Sequence, residues 1–239
     1  MLMQLMQNRW KMQKNISSSN RRPGFAILLA FLALIIFSFS CSESSPEINQ
    51  IFWQITKFHD IENNIFYDRL SVFLEVYDED GVEDIRTIYV IHDNEELFWK
   101  INEDNWVFKT FNNENWFGSN NIVMNDFSGF PFGRYRVIVI DDAGERAETT
   151  FTISSYDRRF NVNHFPSAVI ENNVIIFSAN TEIAWFYNQD MRFMSGMNLE
   201  NIEHRTATFP ANASIMFLYR FDRAGGFGLM SGPYRVERP

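Results

Sequence analysis

An all-β fold is the architecture this sequence predicts, and three observations predict it. Apolar and polar residues alternate over short runs, as in Leu70, Val72, Leu74 and Val76 against Ser71, Phe73, Glu75 and Tyr77. That is the two-residue period of a strand with one buried face. Breaks rich in Asp, Asn and Gly separate the runs and suit tight turns. Aromatic residues make up 16% of the chain, 25 of them Phe, and they pack well on pleated surfaces. No stretch of 46–239 sustains the 3.6-residue apolar period of an amphipathic helix, although 195–205 could form one short helix.

The chain opens on a different pattern. Residues 1–40 carry Arg9, Lys11, Lys14, Arg21 and Arg22 and no acidic residue. After Pro23-Gly24, an apolar run extends from Ala26 to Phe39; its 14 residues fall short of the roughly 20 that a membrane-spanning helix needs. Ser40 and Cys41, the only cysteine, close the run, and Ser42-Glu43-Ser44-Ser45-Pro46 follows as a polar tether over 41–48. Basic segment, apolar run, small residue and cysteine together resemble a bacterial lipoprotein signal over about the first 45 residues. Ser38 and Phe39 depart from it, standing where Leu and a small residue are usual. The resemblance implies cleavage before Cys41, acylation of its thiol and attachment to a lipid bilayer, for which two or more acyl chains suffice. Ser42 after the cysteine implies delivery to the outer rather than the inner membrane. Met1 and Met12 are both possible starts, and an uncleaved amino-terminal anchor is the alternative to a processed one.

Two modules follow, expected at 49–155 and 160–239 with Ser154–Arg159 as linker. In the first, Leu70–Val76 forms a strand ended by Asp78-Glu79-Asp80-Gly81, and Ile85–Ile91 the next. His92-Asp93-Asn94-Glu95 interrupts before Leu97–Ile101, and residues 102–121 supply short strands among Asn-rich loops. Tyr135–Ile140 and Ala147–Ile153 flank Asp141-Asp142-Ala143-Gly144 as a hairpin. In the second, Val174–Phe177, Ile183–Tyr187, Ile215–Phe221 and about Phe227–Val236 are strands. Tyr219-Arg220 before Asp222, Ala224 and Gly225 echoes Tyr135-Arg136 before Asp142-Ala143-Gly144.

Tyr-x-Val-x-Val before an Asp-x-Ala-Gly turn, and Asp78–Val82 between the second and third strands, resemble bacterial immunoglobulin-like sandwich domains. The likeness covers 65–153 and, more faintly, 170–237. It implies tandem β-sandwiches, a Trp185 buried on the third strand of the second module, and a first module whose Asp78–Asp84 and Asp141–Glu145 turns share one end. It implies no activity, because the architecture hosts many.

Charge narrows the partners. Residues 41–239 hold sixteen basic and all thirty acidic residues, a net charge of −14. Such a body repels phosphate backbones, so no nucleic acid partner is expected. A single cysteine permits no intrachain disulfide. His59, His92, His164 and His204 show no metal-ligand spacing, so no metal and no cofactor is expected. Asp78, Asp80, Asp141 and Asp142 could offer oxygen ligands to calcium, or simply bond their own backbone in turns. Trp99, Trp106 and Trp116, interleaved with Asn and Phe, could form a sugar-stacking face or fill the core. Met191, Met194 and Met197 suit core or an adaptable interface. With no nucleophile elbow or phosphate-binding loop, the function expected is a non-catalytic, membrane-anchored envelope module that binds or scaffolds a protein partner. The alternative is a carbohydrate-binding module using 99–117.

Overall fold

The computed structural model describes residues 44–200, 202 and 205–236. The expected signal segment 1–40, the expected lipidation site Cys41, and His204 lie outside them. The described residues form one compact unit, all-β as expected. Its first half contains β1 (Glu47–Asp60), β2 (Ile65–Tyr77), β3 (Ile85–His92), β4 (Leu97–Asn102), β5 (Val107–Phe111), β6 (Glu114–Val123), β7 (Gly133–Asp141) and β8 (Arg146–Ile153). Its second half contains β9 (Ala168–Glu171), β10 (Val174–Phe177), β11 (Ile183–Tyr187), β12 (Phe193–Asn198), β13 (Thr206–Thr208), β14 (Ile215–Asp222) and β15 (Phe227–Arg235).

Each half is an immunoglobulin-like sandwich. In the first, the order β1-β2-β6-β5 faces the order β4-β3-β7-β8, which is the A-B-E-D over C′-C-F-G arrangement. Alternate residues of both layers fill one core, among them Leu70, Leu74, Ile88, Phe117, Val137 and Phe151. In the second, β13-β10-β9 faces β12-β11-β14-β15, and Ile175, Phe177, Phe186, Phe209, Met216 and Leu218 form the core.

The halves are not separate bodies. β15, the last strand of the second sandwich, pairs in parallel with β1, the first strand of the first, from Thr56↔Gly228 to Asp60↔Gly232. One eight-stranded sheet therefore runs β12-β11-β14-β15-β1-β2-β6-β5 through both modules. Phe227 and Leu229 of β15 even contribute to the core of the first sandwich. The pairing covers edges that each module would otherwise expose.

The structure departs from the expected elements in three places. The tether is docked from Ser44 onward: Pro46 is buried and β1 begins at Glu47. The linker is pinned rather than loose, since the Tyr156 hydroxyl donates to Asp68 at 2.8 Å and Arg158 donates to the Phe130 carbonyl at 2.6 Å. Instead of a helix after Ser195, Phe193–Asn198 is a strand paired with β11, tertiary pairing overriding local preference.

Tyr135 shows how sequence sets the corner of the first module. Fully buried at the start of β7, it donates its hydroxyl to the Pro131 carbonyl at 2.8 Å, the tyrosine corner of this architecture. Burial pushes its phenol pKa up, so the donor stays protonated. Tyr135→Phe is expected to cost about 1 kcal/mol, the net worth of a typical hydrogen bond. At about 2–4 °C per kcal/mol for a protein of this size, circular dichroism melting should show a drop of that order. No drop would mean that the corner is held by packing alone.

Candidate functional site

The acidic turns do meet at one end of the first sandwich, joined by the docked tether. Ser44 donates its backbone N–H to Asp80 at 2.7 Å, and Ser45 donates its hydroxyl to Glu145 at 3.2 Å. Each carboxylate already has structural work. Asp78 accepts the Asp80 N–H at 2.9 Å, and Asp141 accepts the Glu145 N–H at 2.8 Å. Asp142 pairs with Arg86, whose guanidinium holds its carboxyl below the usual range. Among the described residues, no three His, Cys, Asp or Glu side chains come together as a metal shell. The turns are capped by their own carboxylates, Asp78 and Asp141 each accepting a backbone N–H a few residues on.

The three tryptophans are not brought onto one platform. Trp99 packs against the first core, donating its indole N–H to the Val123 carbonyl at 2.8 Å. Trp106 also packs on that core, edge-on to Phe117 at 5.2 Å. Trp116 neighbours buried Phe117 on β6 and so faces the opposite side, with its N–H on Glu114 at 3.3 Å. Trp99 sits on β4, Trp106 in the β4–β5 connection and Trp116 on β6 beside buried Phe117, so the three do not share one exposed face.

The larger opening is one that the sequence did not indicate. Both cores lie on one face of the eight-stranded sheet; the other face carries a smaller buried cluster of Phe58, Tyr67, Ile215 and Phe217, and beside it lies an opening. There the twisted sheet forms a cleft of about 910 Å³. Its second-module wall presents Trp185 and Tyr187 from β11 and Phe217 and Tyr219 from β14. The expected burial of Trp185 in the second core is not observed: Ala184 and Phe186 occupy that face, and Trp185 lies 5.2 Å from Tyr219 across the cleft side. Gly196 pairs with Trp185, and even a Cβ there would meet the indole only at ordinary contact distance, 3.4 Å. Met191 and Phe193 form an exposed lip, while Met197 packs on the second core.

The floor comes from the seam. Gln54 and Thr56 of β1 lie beside Gly228 of β15, and Gln54 donates to the Tyr219 hydroxyl at 2.7 Å. A Cβ on Gly228 would fall within 2.8 Å of Tyr219, Gln54 and Thr56, so glycine keeps the floor open. From the first module come Arg69, Lys109, Asn120 and Asn121. Burial raises the phenol pKa of Tyr187 and Tyr219, which keeps both hydroxyls as donors.

Beneath the opposite face lies a second opening, of about 790 Å³, under residues 157–165. Lys57 and Asp68 meet there with Nζ 3.7 Å from Oδ1, both essentially buried. The ammonium nitrogen is 4.3 Å from the Phe160 ring centroid and 5.3 Å from that of Phe227. Burial pushes the Lys57 pKa down and the Asp68 pKa up, each partner's charge opposing the shift of the other.

No protein-family model and no curated protein matches the chain. Among solved structures it is similar to Tp47, the 47-kilodalton lipoprotein of Treponema pallidum, at 11% identity and a TM-score of 0.36. That match covers 81% of this chain and 52% of the other, so this chain spans about half the length of that one. Likeness at this level carries no information on function.

Proposed function

We propose that this chain is a lipid-anchored protein of the bacterial cell envelope whose body binds rather than catalyses. The observation that carries the binding assignment is the aromatic cleft on the face of the joined sheet opposite the two cores. It combines apolar rings with a few amide and cationic groups, the composition of a recognition surface. The anchor is supported by the apolar run 26–39 ending at Cys41, with Ser42 favouring the outer membrane. The non-catalytic reading is supported by the use of the meeting titratable groups in structural pairs, such as Arg86–Asp142 and Arg136–Asp93. Contact with a protein partner, a second form of the same reading, is supported by exposed Phe111 and Phe193 on the two outer strands of the eight-stranded sheet.

The anchor is tested by comparing wild type with Cys41→Ala in the native host. The wild-type amino terminus should begin at Cys41 with a diacyl or triacyl mass, and the protein should partition with membranes. Cys41→Ala should lose the acyl mass, fail to be cut before residue 41 and keep residues 1–40. A wild-type chain that retains residues 1–40 without acylation would sink the lipoprotein assignment.

A further inference from the structure

We propose that the ligand of this cleft is an acidic saccharide, a sugar chain bearing carboxylates, which rests on the reading of the cleft as the binding surface. The first argument is charge. The cleft is lined by Arg69 and Lys109 and by no carboxylate, although residues 41–239 carry a net charge of −14. A hollow lined by cations and by no carboxylate attracts anions at close range even in an acidic body. Arg69 forms none of the ion pairs seen among the described residues. Its Nη2 donates to the Tyr67 hydroxyl at 2.8 Å, and its guanidinium stacks 3.8 Å from the Phe58 ring centroid. Asp60, the carboxylate that senses this charge, is occupied by N–H groups of Glu62 and Asn63 at 3.0 and 3.1 Å. With Nη2 on Tyr67 and Nε buried, the stacked guanidinium is held in one plane and has its remaining N–H groups to offer a ligand carboxylate.

The second argument separates a sugar from a peptide. The floor is made by β14, β15, β1 and β2, interior strands paired on both sides. Their backbone groups are spent on the ladders, whereas an extended peptide is recognised at a free sheet edge through its main chain. Only side chains are on offer here. Trp185, Tyr187 and Tyr219 supply flat faces for the apolar side of a sugar ring. Gln54, Asn120 and Asn121 supply amides that donate to and accept from hydroxyls. Gly228 supplies the depth for a ring to settle.

The test uses the full mature protein in detergent, titrated by calorimetry with tetragalacturonate, a glucuronate-containing tetrasaccharide, their methyl esters, cellotetraose and a poly-glutamate peptide. The expected result is saturable binding of at least one uronate, about tenfold or more tighter than its neutral ester, and weakened by salt. Arg69→Gln, and separately the exposed Lys109→Gln, should remove that preference by weakening uronate binding more than ester binding. Trp185→Ala should weaken acid and ester alike. Equal binding of uronate and ester, with Arg69→Gln and Lys109→Gln both silent, overturns the anion preference and leaves the cleft as the site. Binding of poly-glutamate but of no uronate, lost in Trp185→Ala, overturns the saccharide and again leaves the cleft. No binding of any probe overturns the acidic saccharide. Any binding indifferent to Trp185→Ala overturns the cleft itself.

Discussion

Replacing Asp68 by Ala is expected to destabilise the protein by about 3–5 kcal/mol, the cost of stranding one member of a buried ion pair. Lys57 and Asp68 are each about 1% exposed and sit opposite one another on β1 and β2. Without the carboxylate, the ammonium is left among the rings of Phe160, Phe227 and Tyr156. Tyr156 also loses its acceptor. At about 2–4 °C per kcal/mol for a protein of this size, the midpoint should fall by roughly 10 °C. The effect should depend on pH in a stated direction. Burial already lowers the folded pKa of Lys57 below its ordinary value, with Asp68 opposing the shift. Removing Asp68 lowers it further. Between the folded and unfolded values the native state then binds fewer protons than the unfolded one, so stability of the variant rises with pH through that window. Melts at pH 7 and pH 9.5 should therefore show the defect shrinking at the higher pH. Lys57→Met with Asp68→Leu should recover most of the loss, because apolar replacement of both partners removes the desolvation cost. A single variant as stable as wild type would mean that Lys57 is neutral or reaches water in the folded state.

How much of this was legible in the sequence depended on burial of each strand. β10 and β11 coincide with Val174–Phe177 and Ile183–Tyr187 as read from pattern, since short apolar runs between Asn-rich turns leave little freedom. The turns after β2 and β7 were equally plain, because Asp and Gly there bond or bend the backbone locally. β1 was not legible. Residues 55–58 are buried on both faces, one side against the first core and the other against Tyr67 and Phe217, so the alternation that marks a half-covered strand disappears. Nor could the pairing of β1 with β15 be read, since parallel partners some 170 residues apart leave no local signature. The cleft was missed for the same reason. Trp185 and Phe186 are both large and apolar, and periodicity alone cannot say which faces the core. Their doubly apolar strand was the available signal that a second covered or functional face existed.

The seam itself yields the last prediction. Phe58→Ala is expected to cost about 3–5 kcal/mol, the range for truncating a buried Phe. Phe58 is 2% exposed and packs on Tyr67 of the first sandwich at 5.2 Å and on Phe217 of the second at 6.1 Å. The cavity would open at the junction rather than inside either module. If the seam makes the two sandwiches one cooperative body, wild type should melt in a single calorimetric transition whose van't Hoff and calorimetric enthalpies agree. Phe58→Ala should lower that transition or split it in two as the modules uncouple. Two independent transitions in wild type, only one of them moved by Phe58→Ala, would show that the β1–β15 pairing does not bind the modules energetically. The consequence extends to recognition. Phe58 does not line the cleft, yet Arg69 stacks on its ring and Phe217 leans against it. Loss of that ring should release the guanidinium from its fixed plane. The variant should therefore lose affinity for an anionic probe more than for its neutral ester. The proposed binding surface, assembled across two modules, would owe its geometry to the seam that joins them.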